Sequence, residues 1–133
     1  MTDRYAVIGN PINHSKSPLI HGMFAEATSQ DIVYTTIEGP FGGFAGAVDA
    51  FREAGGLGMN VTAPFKLDAF AYSGAGTERS PRAQLAGAVN AMKFDGHRVI
   101  VENFDGVGLV RDVTHNLKCV LKGRRILMLG AGG

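Results

Sequence analysis

Short apolar runs that each close on a glycine or proline turn, alternating with stretches of helical periodicity, leave this chain few folds to choose from. Tyr5 to Gly9 is one such run, closed by Gly9-Asn10-Pro11, and it reads as a strand followed by a turn. A helix follows, with Ser17 as its expected N-cap, Pro18 at its first position, and Leu19, Ile20, Met23, Phe24 and Ala27 at helical spacing. Residues 32–37 read as the next strand. Phe41, Phe44, Val48 and Phe51 predict an amphipathic helix that stops at Gly55-Gly56, and residues 57–61 give a third strand. Pro64 is expected to open a helix through Tyr72 that breaks over 73–76, and Ser80-Pro81 repeats the cap and proline pairing for a short helix through Leu85. Residues 89–94 and 97–101 are two strand-like runs joined by Asp95-Gly96, a hairpin turn whose residues tolerate positive φ. The expected fold is therefore a three-layer α/β sandwich whose mostly parallel sheet carries one antiparallel hairpin.

Beyond Gly106, the residues Val107, Val110, Val113 and Leu117 predict a helix broken at Gly123, ahead of the apolar run Ile126 to Leu129. That run enters Gly130-Ala131-Gly132-Gly133. An apolar strand ending in a glycine-rich turn is how a Rossmann unit delivers a pyrophosphate to the N-terminus of its next helix, although short glycine clusters also end ordinary strands. The expected division is a substrate-binding domain over 1–104, a linker helix over 105–122, and at 123–133 the opening of a nucleotide-binding domain. A chain so divided looks like one half of a two-domain oxidoreductase, and the half alone is expected to be inactive.

A length of 133 residues with 45% hydrophobic content suits a single globular domain. The formal charge of +1, from 13 basic and 12 acidic residues without a basic stripe, gives no reason to expect a nucleic-acid or membrane partner. No apolar stretch reaches the roughly 18 residues needed to span a bilayer, and Met1-Thr-Asp-Arg-Tyr5 is not a signal peptide, so the cytoplasm is the expected compartment. Cys119, between Leu117 and Val120, is expected to be a small buried hydrophobe. His14 and His21 have no partner at metal-ligand spacing, and no metal is expected.

In open α/β sheets ligands bind where strands lead into helices, and four such segments here are unusually polar. Asn13-His-Ser-Lys-Ser17 sets two hydroxyls at a helix N-terminus, where free N–H groups and the dipole favour a carboxylate, though Ser17 could equally serve only as a cap. Asn60-Val-Thr-Ala-Pro-Phe-Lys66 puts a lysine in a first helical turn, against the dipole, which local stability would not select. Glu102-Asn-Phe-Asp-Gly106 puts an aspartate at another strand-to-helix junction, able to pair with that lysine or merely to cap. Asn90 follows four small or apolar residues and could stitch a sheet edge or bind a ligand hydroxyl.

Taken together these segments resemble the shikimate dehydrogenase family. Gly9-Asn-Pro-Ile-Asn-His-Ser-Lys-Ser-Pro-Leu-Ile-His21 is similar to its opening signature, Asn60 to Lys66 to its lysine motif, Ala86-Gly-Ala-Val-Asn90 to its asparagine motif, and Asn103-Phe-Asp-Gly106 to its Asn-Thr-Asp-Gly motif, followed by the glycine-rich cofactor turn. The resemblance implies reversible, NADPH-dependent reduction of 3-dehydroshikimate to shikimate by a monomer or homodimer. It implies Lys66 and Asp105 as the catalytic pair, Ser15 and Ser17 as a carboxylate clamp, and Thr62, Asn90 and Asp105 as further substrate contacts. Gly130, Ala131, Gly132 and Gly133 would meet NADP, which is held mainly by a domain beyond them. Two positions depart from the pattern: Phe104 stands where the family has threonine, and Ala91 where threonine usually follows the asparagine. The departure at Phe104 keeps a quinate or other cyclic hydroxy acid dehydrogenase open, and a non-catalytic shikimate-binding module is the alternative from another class.

Overall fold

The structure is a computed structural model that describes residues 1–72 and 76–130. The alternation is realised as β1 (Asp3–Gly9), α1 (Ser17–Thr28), β2 (Ile32–Glu38), α2 (Phe44–Glu53), β3 (Gly56–Val61), α3 (Lys66–Tyr72), β4 (Glu78–Arg79), α4 (Pro81–Ala86), β5 (Ala91–Asp95), β6 (Arg98–Glu102) and α5 (Asp105–Arg111). One six-stranded sheet has the order β2-β1-β3-β5-β6-β4. Among the described residues only β5 runs against its neighbours β3 and β6; the other pairings are parallel. Two reversals cancel, so β6 points the same way as β1 and β3. The carboxyl ends of β1, β3 and β6 and the amino end of β5 therefore share one end of the sheet.

Strand alternation sorts the side chains between two faces. Ala6, Ile8, Met59, Val61, Met92 and Val101 pack with Phe44, Val48 and Phe51 of α2, Phe65 and Ala69 beside and within α3, and Ala83 of α4. Each large apolar side chain buried there contributes about 1.5–3 kcal/mol. On the opposite face Tyr34 stacks on His21 of α1, and with Tyr5, Asn60 and Ala25 they line a groove of about 680 Å³ over β3 and β5. Helices thus cover both faces, as the alternation predicts. Gly58 is required where β3 meets β5, since a Cβ there would stand 2.8 Å from Met92 O.

Several local expectations are corrected. Ser17 is not the cap of α1: Lys16 holds that position in a helical backbone conformation, and Ser17 already belongs to the helix, so its hydroxyl cannot reach forward as an extended N-cap would. Phe41 precedes α2 and is exposed, leaning on Phe65 with 6.4 Å between ring centroids. Pro64 lies in a turn, and α3 starts two residues later at Lys66. Asp95 pairs with Arg98, so the hairpin loop is Gly96-His97, with positive φ at Gly96. The strand β4 falls between the expected break and the Ser80 cap, where a two-residue edge strand leaves no period to read.

The helix from Asp105 ends far short of residue 122. It is α-helical to Arg111, makes a π turn over Asp112–Asn116, and stops before Lys118, whose φ is 54°. Its apolar residues Val107, Val110 and Leu117 are exposed and only Val113 is partly covered, so among the described residues the stripe finds little to pack against, and packing rather than propensity sustains most helices. Residues 124–129 form no strand, for among the described residues no neighbour completes a ladder with them. Cys119 is exposed, contrary to expectation, because the segment that carries it lies outside the core. Among the described residues no helix is long and apolar enough to cross a membrane.

Candidate functional site

The shared end of the sheet gathers the polar segments. After β3, Phe65 N donates to Thr62 O at 3.0 Å in a tight turn that starts α3 at Lys66. After β6, the chain turns at Asn103-Phe104 into α5, which begins with Asp105. Lys66 Nζ meets Asp105 Oδ2 at 2.7 Å across the gap between the two turns. The lysine side chain is 21% exposed and the aspartate 52%, so the pair faces solvent and is open to a ligand. Asp105 answers the dipole of α3 by supplying the negative charge the ammonium needs.

Asn90, just before β5, makes two hydrogen bonds to the turn after β6. Its Nδ2 donates to Asp105 Oδ1 at 2.8 Å, and its Oδ1 accepts from Phe104 N at 3.0 Å. The two carboxylate oxygens of Asp105 are thereby divided between an amide and an ammonium. Asn103 secures the turn from beneath. It is 8% exposed, accepts from Asp105 N at 3.1 Å and donates to Ala88 O at 3.1 Å. Its buried polar atoms are satisfied, as buried polar groups must be, and they tie the β6 turn to the segment before β5.

Ser15 and Ser17 lie after β1 at the same end of the sheet. Ser15 Oγ accepts from Ser17 N at 3.2 Å, while the Ser17 hydroxyl has no hydrogen-bond partner among the described residues. With capping ruled out, that hydroxyl is free for a ligand. Thr62 is drawn against the same turn: Thr62 N donates to Ile8 O at 3.0 Å, and a Cβ at Gly9 would stand 2.6 Å from Thr62 Cγ2. The structure brings Lys66, Asp105 and Asn90 into direct contact and places Thr62, Ser15 and Ser17 on adjoining turns. Gly130 is exposed, far along the chain from this cluster, with φ 95°; Ala131, Gly132 and Gly133 lie outside the described residues. His14 is exposed, and His21 stacks on Tyr34.

Sequence reasoning missed the groups that hold the turn after β6. Glu102 receives Arg82 Nη2 at 2.6 Å and Nε at 3.1 Å, Asn103 N at 2.8 Å, and the hydroxyl of Ser80, which also caps α4 by accepting from Ala83 N. The Arg82 guanidinium holds the Glu102 carboxyl down to about 2, helped by Ser80 and Asn103 N and opposed by burial. Only the Ser80-Pro81 cap was legible, because the pairing of Arg82 with Glu102 crosses 20 residues. Phe104 lies with its ring 5.4 Å from the Arg82 guanidinium carbon and lines a separate cavity of about 360 Å³ with Val107, Gly108 and Arg111. None of the Lys66 cluster lines that cavity.

A depressed carboxyl pKa stabilises the fold above its unfolded value of about 4.5, and that stability is lost as pH falls toward 2. Urea midpoints between pH 6 and pH 2.5 should therefore fall more steeply for the native chain than for Glu102→Gln. The difference should be about 1–2 kcal/mol, reduced by solvent screening because Arg82 is half exposed. Parallel curves for the two proteins would show that Glu102 is not held down by its neighbours.

The chain matches the family model described as the shikimate dehydrogenase substrate binding domain over residues 7–92. Among curated proteins it is 54% identical over 132 residues to a shikimate dehydrogenase (NADP(+)) of Aromatoleum aromaticum, covering 98% of this chain and 46% of that protein. It is 54% identical over 133 residues to the enzyme of the same description from Chromobacterium violaceum, covering all of this chain and 48% of that one. The chain thus spans about half the length of these relatives. Of solved structures, an Ael1 enzyme from Pseudomonas putida superposes with a TM-score of 0.90 at 57% identity, covering 98% of this chain and 47% of its own. The shikimate 5-dehydrogenase of Thermus thermophilus in complex with shikimate does so with a TM-score of 0.82 at 31% identity, covering 92% and 46%.

Proposed function

Because the chain belongs to the shikimate dehydrogenase substrate-binding domain family, we propose that it is the shikimate-binding half of an NADP-dependent dehydrogenase that interconverts 3-dehydroshikimate and shikimate. The observation that carries this reading is the Lys66–Asp105 pair at 2.7 Å, open to solvent where strands lead into helices. Several relatives of this chain are described as NADP(+) enzymes, and one solved relative holds shikimate together with NADP(H).

Gly130 fits a cofactor turn: its φ of 95° is one that L side chains rarely adopt, and nothing lies within 4 Å of where a Cβ would sit, so a pyrophosphate can approach the backbone. Gly130 to Gly133 would hold the edge of NADP, with most of its site on a further domain after the linker at 105–122. NADP, when bound, supplies the hydride to the substrate carbonyl or takes it back. The rest is done by side chains of this domain. As the carbonyl oxygen gains charge it becomes an alkoxide, which the Lys66 ammonium stabilises and to which it gives a proton. Asp105 orients the ammonium and touches the substrate as well. Ser15 and Ser17 take the carboxylate at the N-terminus of α1, and Thr62 and Asn90 take ring hydroxyls, Asn90 with the capacity that its bonds to Asp105 and Phe104 leave.

The partner is a small molecule rather than nucleic acid or membrane, and the protein works in the cytoplasm as a monomer or homodimer. A related cyclic hydroxy acid is the second reading, favoured by Phe104, which offers no hydroxyl at the turn beside Asp105 and turns its ring toward Arg82. Titration calorimetry on the 133-residue chain tests both. Shikimate should bind and quinate bind more weakly, with no turnover on adding NADP. Ser15→Ala combined with Ser17→Ala should weaken shikimate binding by about 10-fold or more, the loss of two charge-assisted hydrogen bonds. Absence of shikimate binding by the folded chain would overturn the reading, and tighter binding of quinate would replace it by the second.

A further inference from the structure

Tyr34 stands on β2 with its ring stacked on His21 of α1, at 4.1 Å between centroids and 10° between planes. Its hydroxyl donates to Asn60 Oδ1 at 2.6 Å. Burial pushes the phenol up to about 12, so it remains a protonated donor across the neutral range. A donor fixed on Oδ1 decides which way the amide of Asn60 faces: oxygen toward β2, nitrogen toward the amino end of β5. There Nδ2 reaches Asn90 O at 3.4 Å, a long bond that leaves its second N–H unused. On its other side Tyr34 leads through His21, whose Nδ1 lies 2.9 Å from Ser17 O. One line of contacts therefore runs from the serine turn through His21, Tyr34, Asn60 and Asn90 to Asp105 and Lys66.

We propose that Tyr34 is a positioning residue for the substrate site, orienting the amide of Asn60 so that its N–H faces a ligand oxygen. Without the phenol, the amide can rotate and present a carbonyl where a donor is needed. The ring of Tyr34, by stacking on His21, sets the distance from this amide to the serines that begin α1. This inference rests on the shikimate reading for the identity of the ligand, but not for the hold of Tyr34 on Asn60.

Tyr34→Phe keeps the stack and deletes one O–H, so it isolates the proposed contact. In nitrogen–proton spectra of the free chain, the Asn60 side-chain amide should move and exchange faster with water; unchanged Asn60 signals would overturn the proposal whatever the ligand. Calorimetry would then compare shikimate with its three analogues that each lack one ring hydroxyl. Tyr34→Phe should weaken shikimate about three- to tenfold, the range of one hydrogen bond, and the penalty should vanish for the one analogue missing the oxygen that Asn60 serves. In an Asn60→Ala background the same substitution should be silent toward shikimate. An equal penalty for all four ligands would make Tyr34 a merely structural residue and sink the inference. Failure of the native chain to bind any of them would overturn the shikimate reading, while the amide spectra would still decide whether Tyr34 controls Asn60.

Discussion

Lys66→Ala, in a protein that joins this domain to a nucleotide-binding half, should lower turnover by about 10²- to 10⁴-fold, the range expected on removing a positioned acid or base. The affinity for shikimate should change far less, because the clamp and the hydroxyl contacts remain. The reason lies in timing: the ammonium is worth most when the carbonyl oxygen carries its charge, a moment that ground-state binding does not sample. Lys66→Arg keeps a cation yet should recover little of the rate, since a guanidinium gives up a proton too reluctantly and its planar fork does not fit a point-charge site. Steady-state rates and equilibrium binding on the same preparations check this. An alanine variant with native turnover and only weaker binding would make Lys66 a binding residue and remove the proton-transfer step.

Asp105→Asn should cost about 10²-fold in turnover for a different reason. The native carboxylate accepts from Lys66 on one oxygen and from Asn90 on the other. An asparagine fills the same space, but its NH₂ must face either an ammonium or another amide nitrogen, so one of the two bonds becomes a donor–donor clash. The shape of the pocket survives and its charge does not. The ammonium then loses the partner that offsets the dipole of α3 and swings more freely. Asp105→Asn combined with Asn90→Asp restores one acceptor and one donor in exchanged positions, and should recover part of the rate. A single variant with unchanged turnover would show that Lys66 needs no orienting partner.

Much of this site can be read in the sequence, and the parts that cannot share a cause. Lys66 and Asp105 stand out because each is a charged residue where a strand meets a helix, a place that local rules of pattern and turn chemistry can find. Their contact across 39 residues follows only once β5 reverses and brings the ends of β3 and β6 together. Tyr34 and the Glu102–Arg82 pair carry no local signal, since a tyrosine in a strand or an arginine in a short helix is ordinary until its partner is known. Ser17 shows the opposite failure, where a strong local signal, Ser-Pro before an apolar run, led to a cap that the backbone placed one residue earlier. Among the described residues the helix from Asp105 ends before residue 122 and 124–129 form no strand, since periodicity measures what a segment could bury and not whether these residues supply a surface for it.

The reversal of β5 also bears on how the site assembles as the chain folds. Asn90 and Asp105 lie 15 residues apart, at the two open ends of one hairpin, so their meeting closes a short loop and belongs to the fast, local events of folding. Lys66 joins from farther along the chain. The alignment of the amide with the carboxylate is thus inherited from strand register, in which a slip of one residue would carry every side chain of β5 to the other face. Gly96, with its positive φ in the two-residue loop at the far end, helps hold that register from the opposite side of the sheet. The geometry of the reactive carboxylate is therefore kept in part by a glycine that never comes near a ligand.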